Sequence, residues 1–265
     1  MKKSAVSLVV IALALILFVQ PFGTAAHALT IKVGATPIPH GEILQVVVPL
    51  LAEQGITLEI VEFTDYVRPN LALEEKELDA NFFQHQPYLE AFNKDAGTDL
   101  VSLVGVHIEP LGVYSHKISD LKDLPSRGQI AIPNDATNGG RALLLLQEAG
   151  LIKVDPKAGI TPTVFDITEN KLKLRFHELE SAQLSRALPD VDAAVINGNY
   201  ALLADLNPMN DAIFLEGAES PYVNILAIRS DDHRDSLQIL ADALTSDTVK
   251  EFIEENYDGS VVPVF

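Results

Sequence analysis

The 265-residue chain contains no cysteine and no tryptophan, and it sets only 19 basic residues against 37 acidic ones. Each shortage excludes something. Without cysteine there is neither a disulfide framework nor a thiolate metal site, so an exported chain of this length must rely on its buried core. The residue that carries the lipid of a bacterial lipoprotein is missing too, which predicts a protein soluble and freely diffusing in a periplasm. At a formal net charge of −18 there is no basic face for nucleic acid or anionic lipid, and neither is expected as a partner. Gly-x-x-x-x-Gly-Lys-Ser/Thr, Gly-x-Gly-x-x-Gly, Gly-x-Ser-x-Gly and His-Glu-x-x-His do not occur, so a nucleotide cradle, a nucleophile elbow and a zinc-protease site lack their usual frames. His107 and His116, in strand-like or loop contexts, are expected to lack nearby paired ligands. No metal, no cofactor and no enzymatic activity are expected.

Long apolar runs are equally scarce. The one at the start follows Lys2 and Lys3, runs from Ala5 to Val19 broken only by Ser7, and ends at Pro21 and Gly23 before Ala26-His27-Ala28. That order reads as a signal peptide, residues 1–28, cleaved after Ala28. The run is shorter than the ~20 residues a spanning helix needs. Residues 29–265 then carry 17 basic and 37 acidic residues, a formal charge of −20.

Short apolar segments alternate with helical ones along the rest. Leu29 to Val33, Thr57 to Phe63, Ala80 to Phe83, Leu100 to Val106, Gln129 to Ile132, Ala193 to Ile196 and Tyr222 to Ile228 read as strands. Glu42 to Gln54, with a kink at Pro49, Leu71 to Leu78, a segment opened by Pro87, and Arg141 to Ala149 read as helices. This alternation predicts an α/β fold with mostly parallel sheets. Apolar segments near Leu111 and Tyr222 suit crossings between two lobes, with a cleft at the carboxyl ends of the strands.

Four stretches carry chemistry. In Pro133-Asn134-Asp135-Ala136-Thr137-Asn138-Gly139-Gly140 a strand hands over to a helix starting near Arg141, where unpaired N–H groups and a guanidinium fork would seat an anion. Asn138 acting as a simple cap beside a solvated Arg141 is the competing reading. In Asn81-Phe82-Phe83-Gln84-His85-Gln86-Pro87-Tyr88 and nearby Tyr66, aromatics crowd a strand-to-helix junction. Alternation along the strand sends Phe82 and Phe83 to opposite faces, one to the core and one to the cleft. Val195-Ile196-Asn197-Gly198-Asn199-Tyr200 and Ser220-Pro221-Tyr222-Val223-Asn224 place Asn side chains at strand ends, where each can donate and accept.

Gly34-Ala35-Thr36-Pro37, Leu78 to His85, Ala131 to Asp135 with Asn138 to Leu146, and Ser220 to Asn224 resemble, in the same order, the methionine-binding proteins of bacterial methionine ABC importers, the NlpA-type lipoprotein family. The resemblance runs from Ile31 to the carboxyl end. It implies a two-lobed periplasmic-binding-protein fold around a ligand cleft, with lobe 1 from residues 29–112 and 225–265 and lobe 2 from 113–224. It implies that Arg141 and Asn138 hold a ligand carboxylate, that Asn197 and Asn224 hold its α-amino and carboxylate groups, and that Tyr66, Phe83, His85 and Tyr88 wall the side-chain pocket. Arg141 is expected to face solvent while the cleft is open. The partners implied are methionine or a similar small amino acid and a membrane ABC permease with its ATPase, served by a monomer. Another apolar amino acid or a methionine-containing dipeptide is the alternative cargo. Many relatives carry a lipid-bearing Cys, and this chain departs from them in lacking one.

Overall fold

The computed structural model describes residues 29–217 and 220–265, and the expected signal peptide lies outside them. From Leu29 strands and helices alternate as β1 (Leu29–Ala35), α1 (Glu42–Glu53), β2 (Ile56–Glu62), α2 (Arg68–Glu74), β3 (Ala80–His85), α3 (Gln86–Ala96) and β4 (Leu100–Ile108). The chain then crosses through Glu109, Pro110 and Leu111 to β5 (Gly112–Tyr114), β6 (Gln129–Pro133), α4 (Ala136–Glu148), β7 (Lys153–Val154), β8 (Ile167–Glu169) and β9 (Arg175–Leu179). α5 (Leu184–Ala187), β10 (Ala193–Ile196), α6 (Gly198–Leu203), α7 (Pro208–Asp211) and β11 (Phe214–Leu215) follow. The return past Tyr222 leads to β12 (Val223–Arg229), α8 (Asp235–Leu244), α9 (Asp247–Tyr257) and β13 (Val262–Pro263).

Two lobes result, each built on its own sheet. The first sheet has the order β13-β4-β12-β3-β1-β2 and the second β11-β5-β10-β6-β9. The expectation of mostly parallel sheets does not hold. β1 runs parallel to β2 and β3, but β12 is antiparallel to β3 and β4, and β13 to β4. In the second sheet β6 is parallel to β9 and β10, while β5 is antiparallel to β10 and β11. The crossings explain this. β3 and β4 run toward the cleft, and β12 re-enters the first sheet from the cleft side, so it must point the other way.

Each sheet buries one apolar stripe from each covering helix. In the first lobe Ile43, Leu44, Val47 and Leu51 of α1, Leu237 and Leu240 of α8 and Ile253 of α9 pack with Ile31, Val33, Phe82 and Leu226. α1 is continuous past Pro49, which sits on its exposed face. In the second lobe Ala142, Leu143, Leu145 and Leu146 of α4 pack on Val113, Ile130, Ile132 and Val195.

α4 begins at Ala136, well before the start expected near Arg141. Asp135 is the reason. Its Oδ1 accepts the Asn138 backbone N–H at 2.9 Å and the Thr137 hydroxyl at 3.0 Å, capping the first turn. Gly139 and Gly140 therefore lie inside the helix and do not turn the chain ahead of it. A Cβ at Gly139 would meet the Pro133 carbonyl oxygen at 2.8 Å, and one at Gly140 would meet Thr161 Cα at 2.7 Å. The glycines let two backbones approach α4; they do not clear space for an anion. Gly140→Ala should destabilise the protein by about 1–3 kcal/mol through overpacking, although alanine in a free helix gains about 1 kcal/mol over glycine. Urea unfolding decides the sign, and a stabilised variant would contradict the close approach.

Candidate functional site

The cleft between the lobes holds about 340 Å³ of empty space, part of it open to solvent, and is lined by Tyr66, Phe83, Gln84, His85, Tyr88, Glu109, Asn138, Arg141, Asn197, Gly198, Asn199 and Asn224. All eight residues singled out in the sequence reach this one cavity. Tyr66, Phe83, His85 and Tyr88 come from the first lobe, Asn138, Arg141 and Asn197 from the second, and Asn224 from the start of β12.

A bulge in β3 aims the first-lobe wall. Ile225 pairs with Gln84 while the next residue, Leu226, pairs with Phe82, so Phe83 is an extra residue in its strand. A regular strand would send Gln84 away from Phe83 and His85; the bulge brings all three to the cavity. Phe82 is fully buried in the core, as alternation requires of one of the two phenylalanines. Phe83 lies with its ring centroid 5.9 Å from Tyr66 and 6.1 Å from Tyr88. His85 then caps α3, its Nδ1 accepting the Tyr88 N–H at 3.1 Å. With Nδ1 an acceptor, Nε2 carries the proton and donates to Asn138 Oδ1 at 3.0 Å. Burial, then the nearby Arg141 charge, lowers the His85 pKa to about 3, so the ring is neutral.

Asn138 gathers the polar network. Its Oδ1 also accepts Asn197 Nδ2 at 2.8 Å, and its own Nδ2 donates to both carboxylate oxygens of Asp135 at 3.0 Å. Asn197 stands at the N-cap of α6 but makes no side-chain cap bond. Its Oδ1 is buried and has no partner among the described residues. An acceptor left bare in a polar cavity is the group that a ligand's donor would satisfy.

Arg141 does not face solvent. It is 4% exposed, with Nε donating to Glu216 Oε1 at 2.9 Å, Nη2 donating to Glu216 Oε2 and, at 2.8 Å, to the Glu109 carbonyl. Tyr222 lies under the guanidinium, its ring centroid 4.2 Å from Cζ. In this closed cleft Glu216 is near enough to neutralise it, so the reading of Arg141 as a solvated surface residue does not hold here.

Sequence reading missed the partners of Glu109. His40, His107 and Glu109 bring three ligating atoms within 4.8 Å of one another, so His107 does have paired neighbours, contrary to expectation. His107 and Glu109 are neighbours on alternate positions of one segment, and folding brings the remote His40 to them. Their hydrogen bonds account for the cluster. His107 Nε2 donates to Glu109 Oε1 at 2.9 Å. His40 Nδ1 accepts the Thr36 hydroxyl at 2.8 Å, leaving its Nε2–H facing Asn224 Oδ1 at 3.1 Å and Glu109 Oε1 at 3.3 Å. Burial alone would raise the Glu109 carboxyl, but His40, His107 and the Asn199 N–H hold it below the usual range. Glu109 is thus an anion buried beside the cavity, with Gly198 pressed so close that a Cβ there would meet Glu109 Cβ at 2.8 Å. A charged residue inside the apolar run Val106 to Leu111 was the one available signal.

Side-chain bonds from aromatic residues help tie the lobes shut across the cleft. His85 reaches Asn138, the Tyr66 hydroxyl donates to Asn199 Oδ1 at 2.6 Å, and the Tyr200 hydroxyl donates to the Thr64 carbonyl at 3.1 Å. The Tyr66 and Tyr200 rings lie 4.9 Å apart.

Comparison with known proteins places this geometry. The sequence matches the NlpA lipoprotein family over residues 31–265. The chain belongs to that family. Among relatives in the NlpA family, the D-methionine-binding lipoprotein MetQ of Escherichia coli K12 is 42% identical over 236 residues, 88% of this chain and 87% of that one. The membrane lipoprotein TpN32 of Treponema pallidum is 39% identical over 234 residues, 88% of this chain and 87% of that one. The structure of a nutrient-binding protein from Burkholderia cenocepacia bound to methionine superposes with a TM-score of 0.86 at 48% identity, covering 89% of this chain and all of that one. The two-lobed substrate-binding-protein fold is thereby shared with the NlpA family. One expectation is overturned. The protein was expected to be soluble and freely diffusing in the periplasm because it has no cysteine, but the family and these relatives are lipoproteins. A single missing residue type was too narrow a basis for that location.

Two buried neutral histidines set the response to acid. Burial is the largest cause lowering His85 to about 3 and His40 to about 4 from an ordinary 6.5. Their contribution to stability is complete above about pH 6.5 and is lost as pH falls toward those values, by up to about 1.4 kcal/mol per pH unit for each ring. Urea unfolding of wild type and His85→Gln between pH 7.5 and 5 should show a fall in both, shallower in the variant. A wild type that gains stability on acidification would contradict the burial of neutral rings.

Proposed function

We propose that the protein is an exported substrate-binding protein of an ABC importer, which takes methionine into the inter-lobe cleft and delivers it to a membrane permease with its ATPase. The observation that carries this reading is the pairing of zwitterion-binding groups with an aromatic wall in one closed cavity. Arg141 Nη1 has no partner among the described residues and suits a carboxylate, with Asn138 and Asn224 beside it. The bare Asn197 Oδ1 and the ionised Glu109 suit an α-ammonium group. Tyr66, Phe83 and Tyr88, with the neutral His85, offer ring edges to a thioether, a contact worth ~0.3–1.5 kcal/mol. The same groups hold a ligand without acting on it, which fits binding and release and not turnover. The methionine-bound relative supports this choice of cargo. We take the lobes to be residues 29–112 with 225–265 and residues 113–224, and the working unit to be a monomer.

Isothermal titration of ligand-stripped protein with L- and D-methionine tests the reading. Methionine should bind at a single site, and glutamate and lysine should not, because the aromatic wall has no partner for a second charge. Arg141→Ala should weaken binding by a factor on the order of tens to thousands. It should also lower stability without ligand by about 3 kcal/mol, since it strands the Glu216 carboxylate. Near-wild-type affinity in a folded Arg141→Ala protein would defeat the carboxylate assignment.

A further inference from the structure

Arg141 does not offer its whole guanidinium to the cavity. Nε and Nη2 are bonded to Glu216, Nη2 also donates to the Glu109 carbonyl, and Tyr222 covers one face. These anchors belong to the two segments that cross between the lobes, Glu109 to the first and Glu216 and Tyr222 to the second. Glu216 joins the two crossings itself, because its Oε2 also accepts the Leu111 backbone N–H at 3.3 Å. Nη1 is the edge left without a partner among the described residues.

From this geometry, and resting on the methionine-binding reading above, we infer that Glu216 is a positioning residue for carboxylate recognition: it holds Arg141 edge-on so that Nη1 alone meets the ligand's carboxylate, and it ties that orientation to both crossings. The Arg141–Glu216 pair is neutral as a unit. What it presents to a ligand is therefore direction, two N–H groups fixed in one plane, and not net positive charge. A long side chain fixed before the ligand arrives also spares the ordering cost that a free arginine would incur on binding. Sequence gives no hint of this, since Glu216 lies outside every motif and 75 residues from Arg141.

The opposite role is physically available. Glu216 could act as a standing rival for the guanidinium, in which case removing its charge would tighten binding of the ligand's carboxylate. Affinities for L-methionine and for L-methioninamide, which keeps the ammonium but has a neutral amide in place of the carboxylate, separate the two in wild type, Glu216→Gln and Glu216→Asp. The wild type should prefer methionine. Glu216→Gln should cut that preference by roughly ten- to a hundredfold, the worth of one charge-assisted hydrogen bond, with methioninamide affinity within about threefold of wild type. Glu216→Asp keeps the charge but is too short to span Nε and Nη2 together, so it should fall between them, and it carries the test if Glu216→Gln does not fold. A preference unchanged in both variants, including a parallel loss of both affinities, overturns the positioning role, as does tighter methionine binding in Glu216→Gln. A wild type that binds neither compound overturns the proposed function, and this inference with it.

Discussion

The carboxamide of Asn138 is the point on which the closed cleft depends. One oxygen accepts a hydrogen bond from each side, from His85 of the first lobe at 3.0 Å and from Asn197 of the second at 2.8 Å, while the nitrogen donates to Asp135. Asn138 is 1% exposed, so none of these bonds can be exchanged for water while the lobes are together. Such a network stabilises only when every member is satisfied. Asp135 fixes the amide, the amide fixes the His85 proton on Nε2, and Nδ1 of the same ring is then available to cap α3. Asn197, its nitrogen committed to Asn138, is left with an oxygen pointing nowhere among the described side chains. The incomplete valence of the cavity follows from the complete valence of its hub.

Charge is handled in the same spirit. The site buries one guanidinium and two carboxylates, a costly set unless each is paired. Glu216 neutralises Arg141, and Glu109 is surrounded by the N–H groups of His40, His107 and Asn199. Both carboxylates lie on or beside the crossings between the lobes. Any swing of one lobe on the other therefore acts on the groups that would read a ligand's two charges. A coupling of binding to closure through these shared residues would need no separate relay.

The fold was legible in sequence because its elements are locally consistent. Strand and helix periodicity located β1, β3, β10 and α1 to within a few residues, and the alternation at Phe82 and Phe83 sorted core from cleft. Strand direction was not legible, because the antiparallel course of β12 follows from where the chain re-enters the sheet. The start of α4 was misplaced through treating Gly139 and Gly140 as a turn, when Asp135 had already capped the helix. The eight residues singled out meet in one cavity, and they came from motif order in a familiar family more than from physics. Glu109, Glu216, His40 and His107 were missed. Glu216, His40 and Glu109 acquire their roles from partners remote in sequence, and an isolated acid or histidine carries no local mark of such a partner; His107, two residues from Glu109, was passed over although its partner is local.

Native mass spectrometry most directly tests the claim that this cavity is a methionine site. The ligand-stripped protein, incubated with an equimolar mixture of amino acids, should retain one small molecule with the mass of methionine. The same incubation of Asn197→Ala, which removes the bare acceptor and one support of Asn138, should retain far less. An adduct of any other amino acid on the wild type, or none at all, would contradict the account.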